Sequence, residues 1–286
     1  MQVIIVIFRV AFYTLLERRV LGYIQLRKGP NKPGPVGLFV PLADATKLMS
    51  KELRVPRRRN KALFYIVPCF ALMIPLALWS IYPTTFEVLI FKYSAMFFFC
   101  ISAVGVYVIL GAGWRSNRRY SMLGAVRAVA QSISYEVCLS IVVIHYILFY
   151  EYHINNIKMT PIGVYLYLII FLLFVTALAE TNRSPFDFSE GESELVRGFN
   201  TEFRAVSFLL IFLAEYIVIL FISSLLRRLF NSRGNGDLYF FLMLWGFLYI
   251  WCRGTLPRLR YDQLISLAWK RVLPLVLTSL ACVVLA

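Results

Sequence analysis

The chain has 286 residues, 60% of them hydrophobic, with 24 phenylalanines and a mean hydropathy of +0.72. No soluble domain of this length needs so much apolar surface, which leaves an integral membrane protein. The formal net charge of +15 is spread between apolar runs rather than gathered on a soluble domain, which excludes a nucleic-acid-binding protein.

A membrane helix takes about 20 apolar residues at 1.5 Å each. Such runs predict eight spans, near residues 1–16, 63–82, 95–114, 123–149, 162–180, 202–224, 237–252 and 271–286. The runs are continuous, whereas barrel strands alternate apolar and polar residues over about ten positions. The predicted fold is therefore an all-α bundle forming a single membrane domain. The opening MQVIIVIFRVAFYTLLERRV has no basic start and no small-residue cleavage site, so no cleaved signal peptide is expected.

Glu17-Arg18-Arg19 closes the first predicted span. RKGPNKPGP follows, from Arg27 to Pro35, and its prolines and glycines forbid a helix. Residues 38–53 then read as an amphipathic helix. Leu38, Leu42, Ala45 and Met49 recur on one face, with Asp44, Lys47 and Lys51 on another. Too charged to span, it is expected on the membrane surface, where it would serve equally as a simple interfacial anchor. Of the 30 basic residues, 22 fall in odd-numbered loops and 5 in even-numbered ones. That bias puts the odd loops on the cytoplasmic or matrix-like side, facing anionic lipid, with both termini opposite.

The loop 181–201 is acidic. From Glu180 to Glu215 lie seven carboxylates, in a chain with fifteen altogether. Pro185 and Gly191 keep part of it irregular. Glu190, Glu192 and Glu194 stand at every second position, so they share a side only on extended backbone. Phe186, Phe188 and Phe199 are costly to leave in water, so the loop is expected to fold back onto protein. The last loop adds Arg253, Arg258, Arg260 and Asp262. The guanidinium groups of Arg258 and Arg260 suit bidentate pairing with carboxylates from another loop.

Four carboxylates touch the membrane region. Glu136 lies 13 residues into its span and Glu215 lies 13 beyond Glu202, in each case about 20 Å inward from the odd-loop side. Ionisable groups at that depth are expensive and face a wet or protein-lined interior. Gln131, Ser132, Ser134 and Tyr135 beside Glu136 suggest a polar inner face. Glu180 and Glu202, near helix ends, suit either capping or proton exchange. Five cysteines sit singly in apolar runs, the two histidines crowd one helix end, and no Gly-rich nucleotide motif occurs. The chain is expected to hold no metal and no redox centre of its own.

Several long stretches, in this order, resemble the chain 1 family of respiratory complex I. They are TLLERRVLGYIQLRKGPNKPGPVG, PLADATKLMSKE, SISYEV, ALAETNRSPFDFSEGESELVRGFNTEF, AEY and PRLRYDQL. The resemblance implies a membrane subunit that completes a ubiquinone chamber with soluble partner subunits, which carry the flavin and iron–sulfur clusters reduced by NADH. It implies that Arg18, Arg27, Ala43, Asp44, Asp187 and Phe199 lie at or near the quinone, together with Glu190. Arg258, Arg260 and Asp262 would close the site. Glu136, Glu180, Glu190, Glu192, Glu202 and Glu215 would form the acidic path from quinone chemistry to neighbouring proton-pumping subunits. The ends are shorter than is usual in the family. Compact length and the lack of a targeting sequence favour a chain made inside the mitochondrion, in its inner membrane with odd loops toward the matrix. Two alternatives differ in partners: the equivalent subunit of a membrane-bound hydrogenase, and a stand-alone proton or sodium antiporter. The latter tends to show inverted repeats and broken helices, which are not seen in this sequence.

Overall fold

The computed structural model describes residues 2–52, 60–82, 93–117, 119–155, 162–187, 203, 205–230 and 238–285. Among these the chain is helical, with no strand. The helices are α1 (Gln2–Ile24), α2 (Val40–Ser50), α3 (Lys61–Trp79), α4 (Ser94–Ser116), α5 (Arg119–Asn155), α6 (Ile162–Glu180), α7 (Val206–Phe230), α8 (Leu238–Thr255), α9 (Tyr261–Leu267) and α10 (Leu273–Leu285). A single π turn, Ala268–Val272, joins the last two into one rod. Among the described residues five helices are long and apolar enough to cross a membrane: α3, α4, α5, α7 and the α9–α10 rod. Leu168–Glu180 of α6 is a shorter apolar stretch.

Helix α1 does not stop at residue 16. It runs through Glu17-Arg18-Arg19 to Ile24, because no proline intervenes before Pro30. Val6, Val10, Tyr13 and Glu17 recur at helical spacing and are all buried, so the charged residue continues the inward stripe. Tyr13 reaches across to α8, where its hydroxyl donates to the Gly246 carbonyl at 3.0 Å. A Cβ at Gly246 would stand 3.1 Å from the Tyr13 ring, so the glycine is what lets the two helices meet.

The far end also departs from expectation. The segment beginning at Tyr261 is helix rather than loop, and Leu264, Ala268, Val272 and Val276 form its buried stripe. Pro274 has no N–H to bond the carbonyl one turn back. The ladder widens just before it, and the Leu273 N–H bonds the Ala268 carbonyl. This rod packs on α5. The Tyr135 hydroxyl donates to Leu264 O at 3.0 Å, and Ser279 Oγ lies 3.2 Å from His145 Nδ1.

Arg115 ends α4 as a buried side chain rather than a loop residue. Its guanidinium lies over Phe203, 3.5 Å from the ring centroid, and 4.8 Å from that of Phe64 on α3. Close approach of α4 and α5 depends on Gly113, where a Cβ would sit 2.2 Å from that of Ala125. Between α3 and α7, Trp79 Nε1 donates to Ile217 O at 3.3 Å.

Candidate functional site

Helices α3, α4, α5 and α7, with the C-terminal end of α6, surround a cavity of about 180 Å³. At ~30 Å³ per water it has room for roughly half a dozen. Three carboxylates from three helices line it: Glu136 of α5, Glu180 of α6 and Glu215 of α7. Ser102, Ser132, Thr181, Asn182 and Arg183 add polar groups, and the remaining wall is apolar. Ser102 Oγ donates to Glu136 Oε1 at 3.0 Å. Glu180 Oε2 is buried without a hydrogen-bond partner among the described residues. An oxygen in that position costs about 1–3 kcal/mol unless a proton or a water satisfies it.

The loop after α6 is held by α5. Gln131 Nε2 donates to Phe186 O at 2.9 Å and lies 3.4 Å from Ala179 O. Phe186 is buried, with its ring edge-on to Tyr135 at 5.7 Å, so this part of the acidic segment does fold onto protein. Of the polar residues flanking Glu136, only Ser132 lines the cavity. Gln131 anchors the loop, Tyr135 anchors α9, and Ser134 Oγ accepts from Trp269 Nε1 at 3.3 Å. The polar face of α5 is thus used to hold neighbouring elements more than to line the cavity.

A second ionic cluster adjoins the first. Glu17, buried on α1, pairs with Arg253 of α8 and accepts a hydrogen bond from the Tyr216 hydroxyl of α7. Arg183 Nη1 lies 4.0 Å from Glu17 Oε1, while its Nη2 lies 3.6 Å from Glu215 Oε2. Sequence reasoning gave no role to Glu17, Tyr216 or Arg183, and placed Arg253 only as a loop charge. The signal for Glu17 was its register with Val6, Val10 and Tyr13. Arg183 had none, because its partners lie far off in sequence.

The residues expected near quinone divide into groups. Arg18 and Asp44 pair at 2.6 Å, tying α1 to α2, and both are substantially exposed. Ala43 precedes Asp44 on α2, which leaves Leu38, Phe39, Leu42 and Met49 exposed along an apolar side. Arg27 is local: its Nε donates to Gln25 Oε1 at 3.0 Å. Asp187 is buried, and Arg258 Nη2 lies 3.9 Å from its Oδ2. The Leu259 N–H donates to Pro185 O at 3.0 Å, so the last loop does lie along the one after α6. Arg260 differs. No described carboxylate lies within 4.0 Å of it, and its backbone N–H faces Gln263 Oε1 at 3.5 Å at the start of α9. Asp262 occupies the first turn of that helix, where a negative charge suits the dipole. Glu190, Glu192, Phe199 and Glu202 lie outside the described residues.

Known proteins resemble this chain throughout. A family model described as NADH dehydrogenase matches residues 1–284. The chain is 48% identical to the NADH-ubiquinone oxidoreductase chain 1 of Aedes aegypti, over 97% of its own length and 91% of the relative's. The protein of that name from Locusta migratoria is 46% identical, with coverage of 97% and 91%. The one from Bradypus variegatus is 42% identical, with coverage of 95% and 90%.

Proposed function

The chain belongs to the NADH dehydrogenase family, and from that premise we propose that it is the membrane subunit of a proton-translocating NADH:ubiquinone oxidoreductase that walls the quinone chamber and couples quinone reduction to proton movement. It would sit in the mitochondrial inner membrane, odd-numbered loops toward the matrix, among soluble subunits bearing flavin and iron–sulfur clusters and lateral proton-pumping subunits. The relatives' shared name favours this over a hydrogenase subunit or a stand-alone antiporter.

The observation that carries the reading is the convergence of Glu136, Glu180 and Glu215, from three helices, on one cavity. Carboxylates that share a water-sized cavity within a bilayer can exchange protons through water or directly, and a unit charge placed beside one changes the energy of the next. At an effective dielectric near 20, a charge about 6 Å away is worth ~3 kcal/mol, enough to move a proton. Glu190, Glu192 and Glu202 belong to the same acidic path in this reading. The chamber would be bordered by Arg18, Arg27, Ala43, Asp44, Asp187 and Phe199. Its support is the Arg18–Asp44 pair that ties α1 to α2, together with the apolar side that α2 leaves exposed on another face, a polar and an oily surface on one short helix. Arg258, Arg260 and Asp262 would form the closing loop.

Glu180→Gln tests the reading, because the amide keeps the shape of the side chain but cannot carry the proton. In sealed vesicles of the assembled enzyme, NADH oxidation by an artificial acceptor should be unchanged and proton translocation per NADH should collapse. Full translocation in this variant contradicts the proposal.

A further inference from the structure

Arg183 stands between two carboxylates that face different surroundings. Glu17 belongs to the buried cluster of α1, α7 and α8, while Glu215 lines the cavity. The guanidinium is 4.0 Å from the first and 3.6 Å from the second. Both are ionic contacts longer than a hydrogen bond, so neither carboxylate fully holds it. Its carbon lies 4.4 Å from the centroid of the Tyr216 ring, and the hydroxyl of that same ring is donated to Glu17. The ring is a platform across which a displacement of about 1 Å brings either pair to hydrogen-bond length, with the cation–π contact kept.

We infer that Arg183 is a positioning residue whose guanidinium is shared between Glu17 and Glu215, so that the charge on one carboxylate sets how firmly the other is held. The inference rests on the proposed relay, which uses Glu215 but gives no part to Glu17 or Arg183. Neutralising Glu17 leaves Arg183 to close on Glu215. Neutralising Glu215 lets it close on Glu17, which Arg253 and Tyr216 already hold. The effect is reciprocal by linkage, and it gives the buried cluster a physical means of biasing the cavity. Among the described residues, Arg183 is set against Glu17 of α1 and Glu215 and Tyr216 of α7, with Tyr13 and Arg253 in the cluster around Glu17 and Glu136 and Glu180 on the same cavity.

The test is a double-mutant cycle in the assembled enzyme in sealed vesicles. Glu17→Gln, Glu215→Gln and the pair are compared with Arg183 present and in an Arg183→Met background. Quinone-dependent NADH turnover, which stays measurable where translocation is lost, and the proton translocation it drives are both followed across pH and normalised to NADH oxidation by an artificial acceptor, which counts assembled enzyme. With Arg183 present, the double variant should depart from the product of the single effects by about threefold or more, and Glu17→Gln should displace the pH profile. In Arg183→Met the effects should multiply and the displacement should shrink by at least half. Where the methionine variant fails to assemble, Arg183→Lys replaces it, since lysine lacks the fork whose two nitrogens face the two carboxylates here, and the same loss of coupling is expected. Effects that multiply with Arg183 present, or non-additivity undiminished without it, overturn the inference while leaving the relay standing. Normal translocation in Glu215→Gln sinks the relay, and the inference with it.

Discussion

Gln131 and Phe186 are joined by a buried hydrogen bond of 2.9 Å, side-chain amide to main-chain carbonyl, across 55 residues of sequence. Through it α5 holds the loop that carries Asn182 and Arg183 at the cavity wall. Gln131→Leu keeps the volume and leaves the carbonyl unpaired, at a cost of about 1–3 kcal/mol. Quinone reductase activity should fall several-fold at elevated temperature, where the loop loosens, with NADH oxidation by an artificial acceptor unchanged. Thermal inactivation of the two activities, followed in parallel, checks this.

Two ion pairs of α1 should behave in opposite ways. Glu17 is buried and its partner Arg253 is 33% exposed, whereas Arg18 and Asp44 are 50% and 39% exposed. Removing the nearest cation from a buried carboxylate costs about 1–3 kcal/mol, whereas an exposed pair is worth ~0–1 kcal/mol. Arg253→Met should therefore deplete assembled enzyme sharply, with recovery in Arg253→Lys, while Arg18→Met leaves its amount near normal. Native-gel quantification of the complex separates them.

Glycines on α4 differ as much. A Cβ at Gly113 would overlap Ala125, while one at Gly105 meets nothing within 4 Å. Gly113→Val should force α4 away from α5, at about 1–3 kcal/mol or more, and lower assembly. Gly105→Ala should assemble normally. The same quantification applies to both.

Much of the architecture could be read from apolar runs, because in a bilayer the chain must satisfy its backbone within helices. Depth counting also brought Glu136 and Glu215 to notice, and both line the cavity. Pairing was the illegible part. Glu17 finds its partners 199 and 236 residues away, on α7 and α8, and no local pattern announces them. Boundaries misled at both ends for a related reason. A charged triplet suggested the end of α1, and a basic loop seemed to continue past Arg260. In each case burial on neighbouring helices outweighed the local polarity.

The most direct measurement is proton translocation per NADH oxidised in sealed vesicles of enzyme carrying Glu136→Gln and, separately, Glu215→Gln. The convergence of these carboxylates on one cavity predicts intact NADH oxidation by an artificial acceptor, with translocation lost or quinone turnover strongly slowed in each. Proton-coupled turnover at the unmodified rate in both variants would contradict the account.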